Sequence, residues 1–146
     1  MINIKEKHTI ITKVKDLLEN GERIKYSYLR NWNKNFPNEP GVYAFHQKGR
    51  LCYIGETADL RSRMSDSRRT YNHSFRKKVG KLIFNSELVK NKYPDDIETK
   101  MNQYFEDHIT VSFVAIDFGR LEIETALIDS YPESQLLNSI GKRGKK

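Results

Sequence analysis

The chain has 146 residues, about one domain's length and enough to bury a core without a metal or disulfide to staple it. Its single cysteine, Cys52, excludes an internal disulfide; with no long apolar run and an evenly charged start, the composition predicts a soluble, cytoplasmic protein without a membrane partner. A formal net charge of +7 and a pI of about 9.4 favour a polyanionic partner.

Ile10, Ile11, Val14, Leu17 and Leu18 recur at helical spacing before "ENG", which predicts a helix over roughly the first twenty residues. "KYSYLRNW" reads as a second short helical piece, and the prolines and glycine of "NKNFPNEPG" break whatever precedes them. A boundary near Pro40 divides the chain into an N-terminal helical appendage (1–38), a main domain (39–140) and a basic tail (141–146).

Val42 to His46 and Leu51 to Ile54 read as strands joined by a "QKGR" turn. With a three-residue loop and Gly49 in the left-handed region, Tyr43 stands opposite Tyr53. Alternation puts Tyr43, Phe45, Leu51 and Tyr53 on one face and Val42, Ala44, Cys52 and Ile54 on the other. The aliphatic face is the natural core. Two adjacent phenols need hydrogen-bond partners if buried, so the tyrosine face is either core or the edge of a groove.

Thr57 is the expected N-cap of a helix beginning "ADLRSRM", with Leu60 and Met64 one turn apart. Further helices are predicted from about Ser74 to Asn85, over "YPDDIETKMNQYFEDH" and over "RLEIETALIDSY". Between the last two, the β-branched run "ITVSFVAI" is the clearest strand and the expected centre of a sheet.

The positive charge is concentrated in "RSRMSDSRRTYNHSFRKKVGK", which gathers Arg61, Arg63, Arg68, Arg69, Arg76, Lys77, Lys78 and Lys81, with Tyr71, His73 and Phe75 interleaved. Cations beside planar rings suit phosphate contact plus base stacking; the alternative is a solvated helix face. The tail "GKRGKK" reads as a flexible basic end. In the last helix, Glu122 has polar neighbours, whereas Glu124 is flanked by Leu121, Leu127 and Ile128 at helical offsets. A carboxylate among aliphatic residues requires a cation, a hydrogen bond or a metal to stay charged. A structural pairing with a base such as Arg120 is the competing explanation.

Together these pieces resemble the GIY-YIG nucleases. The motif positions are Gly41-Val42-Tyr43 on one strand, Tyr53-Ile54-Gly55 on the next, Arg63 on the following helix, Glu124 on a later helix and Asn138 after "SYPESQLL". The resemblance covers about Pro40 to Asn138. It implies an α+β fold with a small three-stranded antiparallel sheet flanked by helices, here carrying an N-terminal helical appendage.

The activity it implies is that of a divalent-metal-dependent DNA endonuclease or nickase, within a repair, recombination or restriction system, leaving a 5′-phosphate and a 3′-hydroxyl. The alternative is a non-catalytic nucleic-acid-binding module on the same fold. By resemblance, Tyr43 takes the proton from water, which requires cationic charge to lower a phenol pKa of ~10. Tyr53 holds the water or the phosphate. Arg63, chosen over Arg61 by the family's interval, forks onto the non-bridging oxygens. Glu124 holds a single Mg²⁺, which Mn²⁺ can replace.

One departure stands out: Ser67 occupies the position where many members carry a histidine. His73 follows as a candidate catalytic or phosphate-binding residue at the start of the next helix. Arg61, Arg68, Arg69, Arg76, Lys77 and Asn138 complete the expected DNA surface, while His8, His46 and His108 fit no pattern. A homodimer, or a partner protein that supplies specificity, is left open.

Overall fold

The computed structural model describes residues 4–138; the basic tail at 141–146 lies outside the described residues. The elements are α1 (Ile4–Asn20), β1 (Ile24–Lys25), β2 (Gly41–Gln47), β3 (Arg50–Thr57), α2 (Leu60–Asp66), α3 (Ser74–Leu82), α4 (Asp95–His108), β4 (Ile109–Ala115) and α5 (Arg120–Asp129), with single 3₁₀ turns at Trp32–Asn35 and Thr70–Asn72. The fold is α+β around one antiparallel sheet in the order β1-β4-β2-β3. The expected three-stranded sheet thus gains a fourth, two-residue strand, which pairs Ile24 with Val111.

That strand belongs to the segment expected to stand apart as an appendage. α1 and the stretch after it contribute Val14 and Leu18 to one core and Tyr26, Trp32 and Phe36 to the other. "KYSYLRNW" is extended through β1 and closes into the 3₁₀ turn only at Trp32, because Lys25 pairs with β4 and the Trp32 indole donates to the Lys25 carbonyl at 2.8 Å.

The β2–β3 turn has two central residues, Lys48 and Gly49, both at positive φ (52° and 85°), the conformation whose twist matches a tight hairpin. The strands then pair Gln47 with Arg50 and His46 with Leu51, but the register slips between Phe45 and His46, so that Phe45 faces Tyr53 and Tyr43 faces Gly55. The extra residue is Cys52. This bulge reverses two of the expected faces: Cys52 joins Tyr43, Phe45 and Tyr53, while Leu51 joins Val42, Ala44 and Ile54.

The sheet separates two cores of different chemistry. On the aromatic side Tyr43, Phe45 and Tyr53 pack with Tyr26, Trp32, Phe36, Leu60, Met64, Phe75, Val79, Met101 and Phe105. Phe45 stacks on Phe75 with centroids 4.3 Å apart and planes inclined by 7°. On the aliphatic side Val42, Ala44 and Ile54 pack with Val14 and Leu18 of α1 and Ile123 and Leu127 of α5.

α2 is capped by Asp59 rather than Thr57: the Asp59 carboxylate accepts from the Ser62 amide, and the Thr57 hydroxyl instead accepts from the Asp59 amide at 3.1 Å. At the far end of the described chain, the Leu137 amide donates to the Cys52 carbonyl, and the Asn138 side chain both accepts from the Ile54 amide (2.8 Å) and donates to the Ile54 carbonyl (2.6 Å). No helix among the described residues is long and apolar enough to cross a membrane.

Candidate active site

Tyr43 is the centre of the site, and β2 delivers it. Its ring lies over the backbone of Gly55, where an added Cβ would fall 2.3 Å from the phenol carbon and oxygen. The glycine of "YIG" is therefore the floor on which the tyrosine of "GVY" rests. Tyr43 is 1% exposed, so its hydroxyl needs protein partners. It has two: Arg63 Nε, from α2, donates to it at 3.4 Å, and His73 Nε2 lies 3.0 Å away.

The histidine tautomer follows from its other nitrogen. His73 caps α3, and its Nδ1 accepts from the Phe75 amide at 3.0 Å. Burial, reinforced by the charge of Arg63, holds the His73 pKa well below its usual value. The ring is neutral, so Nε2 carries the hydrogen and donates to Tyr43. The Tyr43 oxygen thus accepts two hydrogen bonds.

Ser67 is buried, with its hydroxyl 2.8 Å from the Tyr26 hydroxyl and donating to the Met64 carbonyl. It is built into the core floor. His73, presented by the turn that follows, supplies the imidazole at the phenol.

Tyr53 and Glu124 complete the group. Tyr53 donates a long hydrogen bond, 3.4 Å, to Ser74, and its ring centroid lies 5.9 Å from that of His73, the same separation as between Tyr43 and His73. Glu124 lies on α5, which packs against β3, and its charge acts on both phenols. Burial is the main influence on Tyr43 and raises its pKa, with Tyr53 and Glu124 adding to the rise. Arg63 works in the opposite direction and is outweighed. The expected lowering of this phenol is not what the folded chain provides, because desolvation exceeds the effect of one guanidinium. Burial likewise raises Tyr53.

Arg63 is aimed from two sides. Its NH1 donates to the Asn72 carbonyl at 3.1 Å and lies 3.9 Å from Asp66, one helical turn on. Sequence reasoning missed both. Asp66 has a signal, the i,i+3 spacing; a backbone carbonyl has none.

The expected DNA surface divides sharply. Arg76 is a correction: at 2% exposed it lies in the core, donating to Thr70 (3.0 Å), Glu98 (2.9 Å) and Asn102 (2.6 Å), and to the Tyr28 hydroxyl. A guanidinium buried among these acceptors presents no face to a phosphate in solvent. Asn138 uses one end of its side-chain amide to accept from the Ile54 amide and the other to donate to the Ile54 carbonyl. Arg68 stacks over Trp32, 5.3 Å from the ring centroid, and donates to the Ser27 and Leu29 carbonyls. Arg61 donates to the Phe36 carbonyl. Arg69 is exposed, and Lys77 is half-buried on α3.

Glu124 is a carboxylate whose charge reaches both phenols, and Mg²⁺ keeps most of its waters when one or two carboxylates hold it. Chemically, a neutral phenol, a guanidinium and a neutral imidazole meet at the Tyr43 hydroxyl, within reach of the Glu124 charge. No protein-family model, no curated protein and no solved structure matches this chain.

Proposed function

We propose that the chain is a GIY-YIG-type nuclease, a Mg²⁺-dependent endonuclease or nickase acting on DNA. The observation that carries this reading is the convergence of Arg63 and His73 on the hydroxyl of Tyr43, with Tyr53 and Glu124 beside it. Hydrolysis of a phosphodiester needs an activated water, donors for the charge growing on the non-bridging oxygens and help for the leaving oxygen.

Ionised Tyr43 is the base in this reading. Its oxygen already accepts from two donors, and both would stabilise the phenolate without reorganising. Arg63 meets the phosphate with the part of its fork not spent on Asn72 and Tyr43, and Tyr53 orients the water. Glu124 would hold the metal. The chemistry supplied by Mg²⁺, when bound, is positive charge beside the leaving oxygen. The residues themselves prepare the base and fix the phosphate.

A plasmid-nicking assay with Mg²⁺ or Mn²⁺ tests the reading. Wild type is expected to nick supercoiled DNA, and Tyr43→Phe, Arg63→Ala and Glu124→Ala each to lose at least about 100-fold in rate while still binding DNA. Because burial raises the Tyr43 pKa, only a small fraction is ionised at neutral pH, and the wild-type rate should climb by up to about tenfold per pH unit from pH 7 to 9. A rate that falls over that range removes Tyr43 as the base. Tight binding by wild type with no nicking under either ion would establish a binding module instead.

A further inference from the structure

We propose that Tyr71 is a base-stacking residue, whose ring receives an unstacked nucleobase beside the phosphate held at the active site. The proposal rests on the nucleic-acid reading above. Of the planar side chains interleaved with the basic segment, His73 and Phe75 are consumed by the core, at 1% exposed each, whereas Tyr71 is 56% exposed.

Its position is what distinguishes it from an ordinary surface tyrosine. Tyr71 is the middle residue of the 3₁₀ turn Thr70–Asn72. The residue after it places its carbonyl on Arg63, and the next places its imidazole on Tyr43. At ~3.8 Å per Cα step, Tyr71 stands within about 8 Å of His73 along the chain, roughly the span of two stacked nucleotides. A strand whose phosphate meets Arg63 brings a neighbouring base within reach of that ring.

The turn is also held rigid from beneath. Thr70 is 3% exposed; its hydroxyl donates to Glu98 at 2.6 Å and accepts from Arg76 at 3.0 Å, and the Asn72 amide donates back to the Arg69 carbonyl at 3.1 Å. An aromatic ring on a fixed support loses little freedom when a base covers it, and every base has a face to offer. Exposed Arg69, two residues before Tyr71, adds a cation for the adjoining phosphate.

The test measures binding without cleavage, in EDTA, using short single-stranded DNA with 2-aminopurine stepped along it. Emission of this adenine analogue changes when it leaves its neighbours and stacks on a protein ring. Wild type is expected to bind with a change at one or two adjacent positions. Tyr71→Ala should bind about tenfold more weakly and lose that signal, with the salt dependence of binding unchanged because no phosphate contact is removed. Tyr71→Phe should keep both. Equal affinity of wild type and Tyr71→Ala overturns stacking and leaves the nuclease reading standing. An equal loss in Tyr71→Phe assigns the effect to the hydroxyl and overturns it as well. Wild type that binds no DNA overturns both.

Discussion

Gly55 has no side chain because Tyr43 occupies the space one would need, and this makes the second motif a condition for the first. Gly55→Ala should therefore act as a lesion of Tyr43. The added methyl displaces the ring, costing about 1–3 kcal/mol of stability as an overpacked core substitution does. Nicking should fall at least tenfold, since displacements of about 1 Å at a reacting group cost more than that. A thermal melt and the nicking assay, run on the same sample, check the two effects. An Ala variant with full activity would show that the ring position is unimportant. At this scale the sequence revealed which residues gather but not how they meet. Both tyrosines were legible on one face; the bulge at Cys52 that sets Tyr43 against Gly55 was not, because it depends on how two strands pair rather than on either alone.

α3 shows what charge counting along a chain cannot see. Arg76 sits among basic residues in sequence, yet its partner Glu98 lies on α4 and forms a 2.9 Å ion pair with it. The pattern of charge predicted a helix with a cationic face; only the approach of α4 turned one of those cations inward. Arg76→Ala should leave Glu98 half-buried without its cation and Thr70 without a donor, costing about 3–5 kcal/mol in a urea unfolding experiment. The same change at exposed Arg69 should stay within about 0.5 kcal/mol. If the two variants unfold alike, the buried pair contributes no stability of its own. The helices and the β2–β3 hairpin were legible from periodicity and turn chemistry. β1 was not, being two residues long and stabilised by its neighbour β4.

Across the whole molecule, the sheet divides an aromatic core from an aliphatic one, and both draw on residues before Pro40. The aliphatic side contains a pH liability. His46 is fully buried with Nε2 2.8 Å from the Ser112 hydroxyl; Ser112 donates to the Leu18 carbonyl and so accepts from Nε2, and His46 Nδ1 has no hydrogen-bond partner among the described residues. Burial, with Arg23 adding to it, lowers the His46 pKa from 6.5 to about 4. The unfolded chain then binds the proton more readily than the folded one, so stability is full above pH 6.5 and declines as the pH falls towards 4. The shift corresponds to about 3 kcal/mol. His73, also held neutral by burial, acts in the same direction. Urea midpoints at pH 7 and pH 4.5 should differ accordingly, and His46→Gln should narrow the difference. A midpoint independent of pH would remove both histidines from the account. No pattern in the sequence marked His46, because its partner Ser112 comes from β4 and that serine's own acceptor from the end of α1.

The amide of Asn138 has a consequence for growth of the sheet. It carries an acceptor and a donor as a peptide unit does, and at Ile54 it takes both positions that another strand would take. Together with the Leu137 amide on the Cys52 carbonyl, it takes the place of a neighbouring strand along this edge. A real strand there would present a new open edge of its own; a side chain presents none. The ladder is thus closed by something that cannot be copied onward, so a second molecule finds no template at Ile54 on which to extend it.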